Sequence, residues 1–173
     1  METVVHMGEA HVSSTPGDTL VCIGLGSCIG VVLVDRVRGI AGLAHVMLPA
    51  CSLPDPPLPH KYADLAVPSL LKLVLATGAR RTRLEAALVG GAAMFQFGGG
   101  SGQEIGQRNI AAVTGLVEAA RIPIRATQLA GNKGRTLRVH VGPDISLTVR
   151  EAGGRDEQLL GGKTGIESKV VYA

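Results

Sequence analysis

The residues of this chain best suited to chemistry are a cysteine on a glycine-rich turn and a histidine further along. Cys28 ends the run GLGSC, and His45 lies within the apolar segment GLAHVMLP. A cysteine nucleophile needs a nearby base to form its thiolate, and an imidazole can serve. The Gly26 and Ser27 backbone can approach a developing oxyanion closely. The pair predicts a cysteine hydrolase, and the alternative is an inert buried cysteine beside a core histidine.

Composition narrows the class of protein. The 173 residues suit one domain with its own core, and a 46% hydrophobic content argues against disorder. No apolar run approaches the roughly 18 residues of a membrane span, and the N-terminus lacks a signal-peptide pattern. We therefore expect a cytoplasmic protein without membrane insertion. A net charge of +3 with two Phe, two Tyr and no Trp argues against nucleic-acid binding.

A metal or cofactor site is not expected. A zinc site would use Cys22, Cys28, His45 and Cys51, but structural zinc sites place their ligands in close C-x₂₋₄-C pairs, and these spacings are wider. Three cysteines also cannot all pair, so free thiols are expected. The glycine runs lack the Lys-Ser/Thr ending of a phosphate-binding loop.

Hydrophobic periodicity predicts an α+β protein. Strands are expected over 19–34, in two segments around the glycine turn, and over 40–48, 84–89, 123–130, 135–141 and 145–150. Helices are predicted over 64–76, ending at Gly78, and over 110–120, with Asn109 as its N-cap. Five prolines in 49–60 and the glycines of 96–106 predict loops.

These elements fit a layered α/β sandwich of mostly antiparallel strands covered by two long helices. We assign residues 1–150 to this domain. Residues 151–173 combine glycine pairs with charges, so they are expected to form a flexible C-terminal tail.

Several segments resemble, in order, the signature of the CheD family, the chemoreceptor glutamine deamidases. They are MGE from 7, VCIGLGSCIGVVL from 21, GLAHVMLP from 42, KYAD from 61 with Pro68, GGA from 90, IG from 105 with Arg108-Asn109, and Gly131 with Gly134-Arg135. The resemblance covers about residues 3 to 150.

The resemblance implies a fold similar to the deamidase core of cytotoxic necrotizing factor toxins. It also implies hydrolysis of glutamine side chains on the cytoplasmic helices of methyl-accepting chemoreceptors, which tunes adaptation in chemotaxis. Cys28 would attack the carboxamide, His45 would act as the base, and a thioester would form. A methyl ester could pass through the same thioester. The alternative is a binding protein that acts through a complex with a CheC-type phosphatase.

The chain departs from the family pattern at the third catalytic position. The family carries a Thr six residues before the nucleophile, where this chain has Cys22. A thiol is a weak hydrogen-bond partner for an imidazole. The Cys22 side chain, its backbone carbonyl or another residue could orient His45, and Cys22 could equally be a small core residue.

Three polar residues are candidate contacts for a substrate helix: Arg108, Asn109 and Arg135. Arginine suits a carboxylate-rich partner, although Arg108 could equally brace the loop. We also expect the turn to expose Cys28 and His45 to lower its thiol pKa, making Cys28 the most readily alkylated cysteine.

Overall fold

A computed structural model describes residues 1–93, 101–161 and 170–172 of the chain. Its strands are β1 (Glu2–Val4), β2 (Ala10–Ser13), β3 (Thr19–Leu25), β4 (Ile29–Asp35), β5 (Ile40–Val46), β6 (Glu85–Gly90), β7 (Ile124–Leu129), β8 (Arg135–His140), β9 (Ser146–Glu151), β10 (Asp156–Leu160) and β11 (Val170–Tyr172). The two α-helices are α1 (Ala63–Ala76) and α2 (Ser101–Ala119). Short 3₁₀ helices cover Pro59–Lys61 and Arg81–Arg83. No helix in the described ranges is long and apolar enough to cross a membrane.

The strands form two mixed sheets, and helices cover one of them. The first sheet has the order β1-β3-β8-β9-β10, and the second has the order β11-β7-β6-β4-β5-β2. Three pairings are parallel, namely β1 with β3, β6 with β7 and β7 with β11, and the others are antiparallel. The predicted α+β class with mostly antiparallel strands is confirmed.

Strand β4 shows why the protein has three layers. All seven of its residues are buried, as expected for a strand covered on both faces. Val32 and Val34 belong to a cluster between the sheets, whereas Val31 and Leu33 belong to a cluster that includes both helices. The continuous apolar run of β4 therefore fills two separate cores.

The glycine turn carries the chain from one sheet to the other. Strand β3 lies in the first sheet and β4 in the second, with residues 26–28 between them. Strand β5 returns beside β4 with Gly30 opposite His45. This crossing brings Cys28 and His45 to the same end of the sandwich.

The second helix starts earlier than predicted. Helix α2 begins at Ser101, so the N-cap role for Asn109 is wrong, and so is the loop over 101–106. Residues 96–100 of that loop lie outside the described residues. Glycine disfavours a helix interior, but tertiary contacts override this propensity here, because Gly106 lets the helix approach the backbone of Gly91 closely.

The expectation that residues 151–173 form a flexible tail is wrong for two segments, which are strands. Strand β10 pairs with β9 and buries Leu159 and Leu160, and β11 pairs with β7. The other three residues of β10 are polar and exposed, so the strand has little hydrophobic alternation from which it could be predicted.

The first helix agrees with its prediction. It ends before Gly78, which has a φ of +107° and donates its N–H to the Leu75 carbonyl. This left-handed residue is the predicted C′ glycine. The proline-rich loop is irregular up to Leu58 and ends in the 3₁₀ helix that begins at Pro59.

Candidate active site

His45 is held by one segment near the start of the chain. Its Nδ1 lies 3.2 Å from the carbonyl oxygen of Val5. Its own carbonyl accepts the Gly8 N–H at 2.9 Å, and its N–H donates to the Glu9 carbonyl at 3.0 Å. Because a carbonyl only accepts, the proton of the first bond belongs to Nδ1. In the neutral ring Nε2 then carries the lone pair, and it has no hydrogen-bond partner among the described residues.

The turn that carries Cys28 is fastened to the end of β6. The Gly26 carbonyl accepts the Ala92 N–H at 2.7 Å, and the Cys28 carbonyl accepts the Gly91 N–H at 2.9 Å. Gly90 permits this approach, because its φ is +125° and a Cβ there would overlap the Cys28 carbonyl oxygen. Gly90 and Gly91 therefore support residues 26–28, the turn that carries Cys28, which we call the nucleophile turn.

The third carbonyl of the turn, that of Ser27, accepts a hydrogen bond from Asn109 Nδ2 at 2.9 Å. The N–H and C=O of a trans peptide unit point in opposite directions, so the amides of Ser27 and Cys28 point away from these contacts. Neither amide donates to another backbone group within the described ranges. Two such donors beside a thiol are what an oxyanion site requires.

Cys28 and His45 share one face of the second sheet. His45 is opposite Gly30, and side chains two residues apart on a strand point to the same face. Cys28 precedes Gly30 by two residues and belongs to the cluster between the sheets. Diagonal positions of this kind have backbones about 7–8 Å apart, so Cys28 and His45 are neighbours on this face. A Cβ on Gly30 would lie 2.9 Å from the end of the Leu137 side chain, so a larger residue there would require that side chain to shift.

Burial sets the protonation states of the pair. Cys28 is 9% exposed, and burial raises the pKa of its thiol, although its own N–H opposes this. His45 is 2% exposed, and burial lowers the pKa of its imidazole, against the opposing bond to Val5. At neutral pH the pair is therefore a neutral thiol and a neutral imidazole. The expectation of an exposed Cys28 with a lowered pKa is wrong.

Cys22 lies near Cys28 and does not bind the imidazole of His45. It is fully buried in the cluster that contains Cys28. Burial raises the pKa of its thiol, and the nearby Cys28 raises it further. Since the bond from His45 Nδ1 goes to Val5, neither the side chain nor the carbonyl of Cys22 orients the ring.

Two of the three expected substrate contacts lie inside the protein. Asn109 is fully buried. Arg135 is 2% exposed, donates to the Ala130 carbonyl at 2.7 Å and pairs with Glu151 at 3.1 Å. Both side chains brace the structure, so contact with a substrate helix does not fit them. Arg108 is exposed on α2 and stays a candidate.

Val5 is a site residue that the sequence analysis missed. The contact with His45 is made by its carbonyl, and every residue type has a carbonyl, so no residue type could have indicated it. Within the described ranges, no group of three His, Cys, Asp or Glu residues could hold a metal ion.

Comparisons with known proteins agree on one family. The CheD family model, described as CheD chemotactic sensory transduction, matches residues 47–150. A protein of Clostridium kluyveri is 44% identical over 138 residues, which is 79% of this chain and 85% of the relative. A protein of Geobacillus kaustophilus is 40% identical over 152 residues, 86% of this chain and 91% of the relative. Both carry the name "Probable chemoreceptor glutamine deamidase CheD".

The match to the family model spans more than half of the 173 residues. It contains the glycine pair and Asn109, which hold the nucleophile turn, and it begins two residues after His45. Both relatives are at least 40% identical over most of this chain. The chain therefore belongs to the CheD family.

Proposed function

We propose that this chain deamidates glutamine side chains of chemoreceptors to glutamate, the activity for which its relatives are named. The observation that carries this proposal is the arrangement of His45. Its Nδ1 is bonded to the Val5 carbonyl, so its basic nitrogen is Nε2, on a ring that burial keeps neutral. Cys28 lies on the same face as a neutral thiol.

The first half of the reaction forms a thioester. The Cys28 Sγ attacks the glutamine Cδ while its proton moves to His45 Nε2. The tetrahedral oxyanion accepts hydrogen bonds from the Ser27 and Cys28 amides. Collapse of this intermediate breaks the C–N bond, and the proton on Nε2 passes to the departing ammonia.

The second half hydrolyses the thioester. His45 Nε2 takes a proton from water as the water attacks the acyl carbon. Collapse of the second tetrahedral intermediate breaks the C–S bond, and the proton on Nε2 returns to the sulfur as glutamate is released. A methyl ester would enter the same sequence with methanol as the leaving group, so methylesterase side activity is part of the proposal.

Exposed apolar side chains near the site suit a helical substrate. Met7 lies in the segment that holds His45, and Leu58 lies against the adjacent Gly8. Ile23, which is 57% exposed, comes shortly before the nucleophile turn. Exposed apolar groups beside a site mark contact surfaces. We infer that they receive the apolar side of a receptor helix, with Arg108 as a candidate polar contact.

Mass spectrometry of a receptor cytoplasmic domain incubated with the protein tests the proposal. Wild type should convert selected glutamines with a gain of one mass unit, and Cys28→Ala and His45→Ala should not. Cys51→Ala is the matched control, since it removes a cysteine from the proline-rich loop. Conversion that survives in folded Cys28→Ala would contradict the cysteine mechanism. No conversion by the folded wild type would favour the alternative, a binding protein that acts with a CheC-type phosphatase.

The proposed likeness to the deamidase core of cytotoxic necrotizing factor toxins stays a prediction. The two-sheet core with both helices on one side is the feature that supports it. Superposition of the two structures would test whether their Cys and His coincide.

A further inference from the structure

Asn109 connects the two segments that carry the proposed nucleophile and base. Its Nδ2 donates to the Ser27 carbonyl at 2.9 Å and to the Met47 carbonyl at 2.8 Å. Ser27 directly precedes Cys28, and Met47 follows His45 by two residues. One fully buried amide group thus joins the end of the nucleophile turn to the end of β5.

We propose that Asn109 is a positioning residue that sets the separation of the Cys28 thiol from the His45 imidazole. The inference rests on the proposed function of this pair. Its basis is geometric, because each carbonyl belongs to a backbone segment that also carries a reacting side chain.

The orientation of the Asn109 amide follows from its partners. Both are carbonyl oxygens, which only accept, so the NH₂ group must face them. The reversed amide would place three oxygens together. Asn supplies two N–H donors from one short side chain, whereas Asp, of the same shape, supplies none when ionised. The residue type therefore matches the task of joining two carbonyls.

The helix that carries Asn109 is itself fixed against the site. A Cβ on Gly106, one turn earlier, would lie 2.7 Å from the Gly91 carbonyl oxygen, so the two backbones are in close contact. Ile110 packs against Gly91 from the next position. The Asn109 amide thus projects from a helix that contacts Gly91, and Gly91 is hydrogen-bonded to the nucleophile turn.

A positioning role predicts a specific kinetic effect. Misplacing reacting groups by about 1 Å can lower a rate about 100-fold. Asn109→Ala should lower kcat by about this factor and leave KM within about threefold, because the substrate surface is untouched. Val113→Ala is the matched control, since it opens a cavity on the same helix without touching either carbonyl.

Asn109→Ser gives a second variant with a smaller cavity and one remaining donor. Each variant is assayed well below its melting temperature. If a folded Asn109 variant keeps kcat within about threefold of the Val113→Ala value, the positioning role is overturned.

Iodoacetamide alkylation of Cys28 tests the inference independently of deamidation. In the wild-type background His45→Ala should slow Cys28 alkylation at least about tenfold, because a neutral thiol needs a base. In the Asn109→Ala or Asn109→Ser background the same change should have less than about a threefold effect. Peptide mapping separates Cys28 from the other two cysteines.

An equal effect of His45→Ala in both backgrounds, including no effect in either, overturns the proposal. Absence of receptor deamidation by the wild type would instead contradict the proposed function. The alkylation cycle then still reports whether Asn109 couples the two groups.

Discussion

The imidazole of His45 is oriented by the main-chain carbonyl of Val5, forty residues earlier in the chain. In the proposed mechanism this bond takes the place of the carboxylate of a Ser-His-Asp triad, since it selects the tautomer that leaves Nε2 basic. Because the acceptor is a backbone group, the orientation does not need a hydroxyl at the position of Cys22. We therefore expect the hydroxyl that the resemblance implies at that position to be dispensable in this chain.

Deletion of residues 1–5 should lower the deamidation rate about 100-fold by freeing the ring. Val5→Ala keeps the carbonyl, so it should retain most of the rate while losing stability from its buried side chain. Receptor deamidation is measured for both, with melting curves as the control for folding. Equal activity of the folded deletion variant and wild type would exclude a role for the Val5 carbonyl.

Cys51 should react with iodoacetamide faster than Cys28 at pH 7. The Cys28 thiol is buried and its pKa is raised, whereas Cys51 is partly exposed. Competitive labelling followed by peptide mapping measures the two rates in one sample, and the unfolded protein gives the intrinsic rates. Faster labelling of native Cys28 would indicate a thiolate–imidazolium pair in place of the neutral pair.

The free energy of unfolding should fall as the pH is lowered through about 6.5, the ordinary pKa of His. Burial lowers the pKa of His45 in the folded protein, and burial followed by His11 lowers that of His60. As the pH falls, the two histidines therefore bind protons in the unfolded chain before they do so in the folded protein. Their contribution to the free energy of unfolding is present in full only above the pKa that they have in the unfolded chain.

Melting temperatures of wild type, His45→Gln and His60→Gln from pH 8 to pH 5.5 test this linkage. Each substitution should flatten the decline. The pKa of Glu9 is also lowered, so its protonation would reduce stability as well, but only below its ordinary pKa of 4.5, which is outside the pH range of this experiment. A wild-type melting temperature that rises between pH 7 and pH 5.5 would contradict the prediction.

Periodicity predicted the strands around the site well, because β3, β4 and β5 are buried strands bounded by turn residues. The pairing of Cys28 with His45 came from their residue types and the glycine turn, not from periodicity, and its catalytic role stays a prediction. The start of α2 could not be predicted, because its glycines disfavour a helix and are needed for contact with a distant backbone. The roles of Asn109 and Val5 could not be predicted either, because their partners are backbone carbonyls that only the fold brings near.

Substitutions of Cys22 should change stability more than rate. Cys22→Ala should keep near-normal deamidation and lose about 1 kcal/mol of unfolding free energy, because the residue packs in the core and does not bind His45. Cys22→Thr restores the family's hydroxyl and should give no gain in rate. A large rate loss in stably folded Cys22→Ala would make its side chain part of the catalytic machinery.

Gly106→Ala and Gly115→Ala should have opposite effects on stability, although both lie in α2. An Ala at Gly115 meets no atom within 4 Å, so it should stabilise the protein by about 1 kcal/mol through helix propensity. An Ala at Gly106 would press on the Gly91 carbonyl, and overpacking of this kind costs about 1–3 kcal/mol. Each 1 kcal/mol corresponds to about 2–4 °C in melting temperature for a chain of this size. Gly106→Ala should also reduce deamidation, because Gly91 donates to the Cys28 carbonyl. If both variants melt above wild type and stay active, the close contact between α2 and the nucleophile turn does not constrain the site.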